Sequence, residues 1–179
     1  MDEGRITFRS KVDRTYIRNF SLVALLFFSL ALFSYWANSH IVVPVIASGI
    51  ALLLIITSLL PYLVRYELYH DRLVVRNVWR KVIVDYSLIL YLREYSLPQS
   101  SFRVFGLPFL GAEYSNNEVG EFWAMAGEHT DGVLVELRSQ ALFGNQMFIT
   151  PRRLQLFREE LEVRSGIPFN QIVVQLSDE

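Results

Sequence analysis

Two absences limit what this chain can be. It contains no cysteine, which excludes disulfides, thiolate catalysis, cysteine-ligated zinc and iron–sulfur clusters. It also has no Asp, Glu, Lys or Arg between Arg18 and Arg65. That interval is too long for one core helix, and it accommodates two bilayer crossings of about 20 residues each. The absence of charge therefore predicts an integral membrane protein.

Signatures of chemistry are also lacking. The three histidines, His40, His70 and His129, are far apart, and none has a second ligand at helical or hairpin spacing, so we expect no metal site. The sequence has no nucleophile elbow, phosphate-binding glycine loop or HExxH pattern. We therefore expect no enzyme and no cofactor, unless the fold assembles a polar cluster from distant residues. The formal net charge of −1 provides no footprint for nucleic acid.

The charge-free interval, residues 20–64, divides into two apolar runs at about 20–37 and 41–63, separated by the polar residues 38–40. A short polar break between two such runs predicts a transmembrane helical hairpin. Neither run carries an acidic or basic residue, and two helices are too few to enclose a substrate path. Transport by this chain alone is therefore not expected.

Small residues cluster in the second run, where Gly49 lies among Ala47, Ser48 and Ala51. Small side chains allow transmembrane helices to approach each other closely. Gly49 is therefore the predicted helix–helix packing residue, either within the hairpin or against other membrane helices.

Basic residues flank the hairpin and are absent from its turn. The positive-inside rule therefore places both termini in the cytoplasm, with the chain integral to the cytoplasmic (inner) membrane. Residues 1–19 then form a cytoplasmic segment, either as a short strand or as an interfacial helix. The alternative is a cleaved secretory signal followed by one anchor, but no convincing small-residue cleavage site separates the two runs.

Basic side chains beside a bilayer also attract anionic lipid head groups. The candidate lipid-proximal residues are Arg14, Arg18, Arg65, Arg72, Arg76, Arg80 and Lys81.

After Arg65 the hydrophobic pattern changes to period two, which predicts a mainly antiparallel β domain over 65–166. The polar pair His70-Asp71 lies between two β-rich runs and predicts a hairpin turn. The expected strands are at 66–69, 72–76, 81–85, 87–95, 121–127, 133–138 and 146–149, of which 87–95 is alternatively a short helix.

Residues 97–118 contain two prolines, two glycines and an Asn-Asn pair, a composition that predicts loop or irregular edge structure. The same segment carries Phe102, Phe105 and Phe109, and aromatic side chains usually need burial. Together with Trp123 these phenylalanines are the candidate partner contacts. The alternative is that they fill the core.

A helix is predicted at about 151–164, with Thr150 as its N-cap and Pro151 at the first helical position. Gly166 is placed to end it. The tail, 167–179, either adds one strand or remains loose. The helix carries one apolar stripe, at Leu154, Phe157 and Leu161.

The order of these elements resembles the bacterial pleckstrin-homology-like (PH-like) membrane domains. The similar elements, after two adjacent transmembrane helices, are Tyr66-Glu67-Leu68, Leu73-Val74-Val75, Phe105-Gly106 with Gly111, Gly120-Glu121-Phe122, and Phe148-Ile149-Thr150-Pro151 opening the last helix. The resemblance spans about residues 60–163. It implies an α+β fold in which a transmembrane hairpin precedes a PH-like split barrel capped by the C-terminal helix. It implies no known ligand.

One departure from eukaryotic PH domains bears on ligands. Their phosphoinositide site uses a long basic loop between the first two strands, and here that loop is only His70-Asp71. We therefore do not expect phosphoinositide-type binding.

These features predict a membrane-anchored PH-like scaffold or recruitment module that binds protein at the cytoplasmic membrane face. Contact is expected by strand addition at an exposed edge, or in a groove between sheet and helix. The alternative is an accessory structural subunit of a larger membrane complex or transporter. The expected partners are the lipid bilayer and a protein in the membrane or cytoplasm, with homo-oligomerisation left open.

Overall fold

The protein is α+β, with two long apolar helices followed by two β-sheets and a C-terminal helix. The chain divides into two compact units, one formed by Asp13–Pro61 and the other by Met1–Val12 with Tyr62–Glu179. The structure, a computed structural model, describes residues 4–12, 14–37, 40–97, 102–107, 110–126, 131–138 and 145–170.

The first unit is a helical hairpin. Helix α1 is Arg14–Trp36, and helix α2 is Val42–Leu59, continued by a 3-10 turn at Leu60–Leu63. The spans Arg14–Trp36 and Val42–Leu63 are each long and apolar enough to cross a membrane. Helix α1 begins before the predicted membrane span, which starts at about residue 20, because residues 14–19 are also helical.

Small side chains form the contact between α1 and α2. The buried residues of the two helices are Ala24, Ala31 and Ser34 in α1 and Ala47, Ala51 and Ser58 in α2. A Cβ atom built on Gly49 would meet no other atom within 4 Å. Gly49 therefore makes no close contact with α1 within the hairpin. The helix–helix packing that was predicted for Gly49 is made instead by its neighbours Ala47 and Ala51.

This difference between neighbouring positions predicts opposite effects of the same side chain. Ala51→Leu is expected to destabilise the hairpin by about 1–3 kcal/mol, because three extra carbon atoms would be forced into a packed contact. Gly49→Leu serves as the control and is expected to leave the hairpin at least as stable, since its side chain enters open space. Thermal loss of helical circular dichroism in detergent measures both. Equal midpoints for the two variants would contradict the assignment.

The second unit begins with a four-stranded antiparallel sheet, in the spatial order β1-β2-β3-β4. In the predicted N-terminal segment, 1–19, both alternatives occur: residues 6–9 form a strand, and residues 14–19 are helical as the start of α1. The predicted turn at His70-Asp71 is confirmed, since the Tyr69 N–H donates to the Arg72 carbonyl at 2.9 Å. The strands are β1 (Ile6–Arg9), β2 (Arg65–Leu68), β3 (Arg72–Arg76) and β4 (Lys81–Asp85).

A second, mixed sheet follows in the order β11-β5-β9-β10-β8-β7-β6. Its strands are β5 (Ile89–Ser96), β6 (Phe102–Leu107), β7 (Gly111–Asn116), β8 (Gly120–Ala124), β9 (Asp131–Leu137), β10 (Gln146–Ile149) and β11 (Phe169–Asn170). Strand β10 is parallel to β8, β11 is parallel to β5, and the remaining pairs are antiparallel. Within the described residues, 87–95 therefore belongs mainly to a strand.

Of the two alternatives predicted for 97–118, loop or irregular edge structure, the second is found in the described residues 102–107 and 111–116. Strands β6 and β7 pair antiparallel there and lie at the end of the sheet, so only the predicted edge position is confirmed. Gly106 and Gly111 have φ values of +85° and +101°, a left-handed conformation that glycine adopts at little cost. These two glycines, which gave the segment its loop-like composition, therefore lie where the chain reverses direction between β6 and β7.

Helix α3 is Leu154–Ser165 and begins three residues later than predicted. Thr150 is not its N-cap, because the helix begins at Leu154 with Arg153 in the cap position. The Thr150 carbonyl instead accepts a hydrogen bond from the Lys11 N–H at 2.7 Å, and its N–H donates to the Tyr66 hydroxyl at 3.2 Å. The predicted helix end is confirmed, with Gly166 left-handed at φ +69°. The apolar run 172–174 lies outside the described residues.

A buried tyrosine joins the two sheets. Tyr66 in β2 is fully buried, and its hydroxyl donates to the Met125 carbonyl at 2.8 Å and lies 3.1 Å from Ser10 Oγ. Its ring contacts Phe157 of α3 with 6.1 Å between centroids. Burial raises the pKa of the Tyr66 phenol, so the hydroxyl keeps its proton and remains a donor. Because these contacts reach both sheets and α3, Tyr66 sets the geometry between them.

Candidate functional site

The edge strand β6 is the first candidate site. It is last in the order of its sheet and pairs with β7 on one side only, among the described residues. The Val104 and Phe105 side chains are 62% and 75% exposed. An open strand edge carries unpaired N–H and C=O groups that accept another strand. Exposed apolar side chains beside such an edge add contact area for a partner.

Local backbone irregularity produces this exposure. Arg103 pairs with Tyr114 and Phe105 pairs with Glu113, so Val104 is an extra residue that forms a β-bulge. A bulge interrupts the strict alternation of side chains, and two consecutive apolar residues thereby become exposed. A Cβ on Gly106 would lie 2.6 Å from the Gly111 carbonyl oxygen. Only glycine therefore fits immediately after the exposed pair.

The four predicted partner contacts have different environments. Phe105 is exposed, whereas Trp123 in β8 is buried, with 4% of its surface accessible. A Cβ on Gly111 would lie 2.8 Å from the Trp123 ring, so the indole fills the space that this glycine leaves. Phe109 and the side chain of Phe102 lie outside the described residues. Trp123 therefore supports the β6–β7 hairpin from within instead of contacting a partner.

The turn between β3 and β4 presents a feature that the sequence argument missed. Val78 and Trp79 are 53% and 62% exposed there. Asn77 Oδ1 accepts hydrogen bonds from the Trp79 and Arg80 N–H groups at 2.8 and 2.6 Å. An asparagine that caps its own turn is a recognisable signal. It indicates an ordered turn that displays the indole to solvent.

The predicted basic residues divide by position. Arg65, Arg76 and Lys81 are direct cross-strand neighbours at one end of the first sheet. Arg72 lies at the opposite end, 3.5 Å from Asp71 and over the Tyr69 ring. The remaining members of the set are Arg80 in the β3–β4 turn and Arg14 and Arg18 in α1.

A groove of about 430 Å³ opens beside Tyr95 and contains three carboxylates. Each carboxylate already has a partner: Glu94 pairs with Arg158 at 2.5 Å, Glu118 accepts from the Tyr95 hydroxyl at 3.3 Å, and Asp131 accepts from Ser96 at 2.5 Å. Burial raises the pKa of Tyr95. No group of three or more His, Asp or Glu side chains suited to a metal ion occurs in the described ranges. The three carboxylates of the groove are thus each already bonded to another side chain.

Compared with known proteins, the chain matches no family model, no curated protein and no solved structure. Its function must therefore be argued from the geometry of β6 and of the first sheet.

Proposed function

We propose that this chain is a membrane-anchored PH-like binding module that recruits a protein partner at the cytoplasmic face of the membrane. The observation that carries the proposal is the open β6 edge with Phe105 three-quarters exposed. Backbone hydrogen bonds from a partner strand would provide affinity, and the two apolar side chains would provide selectivity.

The anchor is the α1–α2 hairpin. In each helix only 17% of the most apolar 18-residue window is buried, whereas the core helix of a soluble protein is mostly buried. Large side chains along both helices are exposed, among them Leu26 at 68% and Leu53 at 63%. Such apolar surfaces are stable in contact with the hydrocarbon core of a lipid bilayer. The basic residues flanking the hairpin support cytoplasmic termini.

Element order supports the PH-like assignment. Ten short strands of the two sheets precede the helix α3 in the described residues, and α3 packs on β2 through Phe157. Phe157 and Leu161 are fully buried, as expected for a helix that caps the end of a split barrel. The N-terminal strand β1 adds a fourth strand to the first sheet, an addition that the resemblance did not imply.

The experiment compares the proteins retained by two variants of the full chain, purified from native membranes in mild detergent. Phe105→Lys places a charge beside the open edge, a substitution that natural edge strands use to prevent pairing. Val163→Lys is the matched control, because Val163 is 81% exposed and belongs to α3, outside the β6–β7 hairpin. Quantitative mass spectrometry then measures each retained protein relative to wild type.

We expect at least one stoichiometric protein that wild type and Val163→Lys both retain and that Phe105→Lys loses by about tenfold or more, since an edge contact of this kind contributes over 1.4 kcal/mol. Retention of every partner by Phe105→Lys would refute the edge as the binding site. Both substitutions are at exposed positions and are expected to leave thermal stability within about 0.5 kcal/mol.

The second candidate function, an accessory subunit of a membrane complex, rests on Gly49. Its open surroundings leave room for a helix from another protein to approach. In that case Gly49→Leu removes co-purifying membrane proteins while Phe105→Lys does not. The same purification therefore separates the two functions.

A further inference from the structure

Four basic residues form one continuous row across the first sheet. The register pairs Arg9 with Arg65, Arg65 with Arg76, and Arg76 with Lys81. Directly opposed residues in antiparallel strands project from the same face, with Cβ atoms about 5 Å apart. The row therefore includes every strand of the sheet, β1 to β4, at one end. We call it the basic row.

Such a row is unfavourable by itself, since like charges directly opposite each other destabilise a sheet. All four side chains are exposed. Arg76 lies 4.0 Å from Glu67, while Arg9, Arg65 and Lys81 form no ion pair with other described residues. Internal carboxylates thus compensate little of the row's charge. An external anionic surface would convert the arrangement from repulsive to favourable.

The turn with Trp79 lies at the same end of the sheet as the basic row. Residues 77–80 connect Arg76 directly to Lys81, and the turn displays Val78 and Trp79 to solvent. Indole rings favour the boundary between lipid and water, because one edge is apolar and the N–H can hydrogen-bond. An exposed indole between cationic side chains has the chemistry of an interfacial anchor.

Chain connectivity brings a bilayer near this surface. Arg65 follows Leu63, the last residue of the apolar span Val42–Leu63, by two residues. Two residues extend over at most about 7 Å, so Arg65 lies within that distance of the last residue of the span. This step rests on the membrane anchoring proposed above.

We propose that the basic row and Trp79 bind the phosphate groups of anionic lipids in the bilayer that anchors the chain. The contact holds the first sheet against the membrane surface and leaves β6 of the other sheet as a separate binding edge. The row is at the opposite end of β2 and β3 from the His70-Asp71 turn. It is therefore distinct from the β2–β3 loop, where the sequence predicts no phosphoinositide-type binding.

The test uses the full chain in nanodiscs of phosphatidylcholine, with or without about 30% phosphatidylglycerol. Because the chain has no cysteine, Val78→Cys provides one site for a nitroxide label. Its collision rates with oxygen and with a water-soluble nickel chelate report depth. Val104→Cys, in the β6 edge, is the control label. We expect the label at 78 to become protected from nickel only in the anionic discs, and the label at 104 to remain accessible in both.

The charge variant replaces Arg65, Arg76 and Lys81 with glutamine. Its matched control replaces Arg72, Arg138 and Arg153, which are also exposed and lie outside the row, and so removes the same net charge. Each charge near an anionic surface contributes about fivefold to the bound population. We expect the row variant to lose protection at 78 by more than tenfold in the bound-to-free ratio. The control variant is expected to retain it.

Three results would overturn the proposal: equal depth at 78 in both bilayers, protection that survives loss of the row, or equal loss in the control variant. A further variant with lysine at positions 9, 65 and 76 checks for misfolding, since it keeps the charge and is expected to restore protection. Phe105→Lys is expected to have no effect on the depth at 78. Failure of partner recruitment and failure of lipid contact are therefore distinguishable.

Discussion

Gly132→Ala is expected to unfold the β domain at temperatures where the wild-type chain is folded. A Cβ at this position in β9 would overlap the Ile149 carbonyl oxygen and lie 2.7 Å from the Phe148 ring. Strand β10 cannot move aside, because it is paired with β9 on one side and β8 on the other. Overpacking against backbone costs about 3 kcal/mol, a large part of the 5–15 kcal/mol typical of a whole domain.

The measurement is the midpoint of denaturant unfolding for the full chain in detergent, followed by near-ultraviolet circular dichroism. The matched control is Gly49→Ala, the same chemical change where the new methyl group meets nothing within 4 Å. Alanine also favours a helix over glycine by about 1 kcal/mol, so the control is expected to be neutral or stabilising. A Gly132→Ala chain as stable as wild type would show that β9 and β10 are packed differently.

Tyr66→Phe is expected to destabilise the β domain by about 2–3 kcal/mol, although it removes one oxygen atom. The lost hydroxyl leaves the Thr150 N–H and the Met125 carbonyl without their observed partner, in a site where Tyr66 and Thr150 are fully buried. Each unsatisfied buried group costs about 1–3 kcal/mol. Hydrogen exchange is expected to increase first around residues 9–12 and 150–152, whose backbone hydrogen bonds adjoin this site.

Tyr86→Phe provides the comparison for this prediction. The Tyr86 hydroxyl donates to the Tyr69 carbonyl at 3.0 Å in a partly buried site, so we expect a loss of about 1 kcal/mol. If Tyr86→Phe destabilised the domain as much as Tyr66→Phe, the buried hydrogen bonds of Tyr66 between the two sheets would have no special contribution to stability.

Locally encoded features were predictable from the sequence. The two apolar helices follow from an interval without charge, and the β2–β3 hairpin follows from alternation around His70-Asp71. The end of α3 follows from Gly166, because a left-handed residue ends a helix wherever it occurs. Each of these signals is contained within a few residues or a single apolar run, so distant partners do not change it.

Features that depend on distant partners were mispredicted. Thr150 has the sequence context of an N-cap, but Lys11 and Tyr66 compete for its backbone groups. Residues 102–107 and 111–116 have the composition of a loop, but they pair with each other, and 111–116 also pairs with β8, so both are strands. Gly49 is small like Ala51, and only the helix crossing determines which of them faces the neighbouring helix.

The candidate sites show the same division. The sequence by itself determined that an apolar hairpin precedes a β domain and that basic residues flank it, and it named Phe105 among four aromatic residues that either contact a partner or fill the core. Only the tertiary structure decided that Phe105 is exposed while Trp123 is buried, and that Arg9, far away in the chain, joins Arg65, Arg76 and Lys81 in one row. The physical reason is that local pattern determines the type of element, whereas strand order and register are set by long-range pairing and packing.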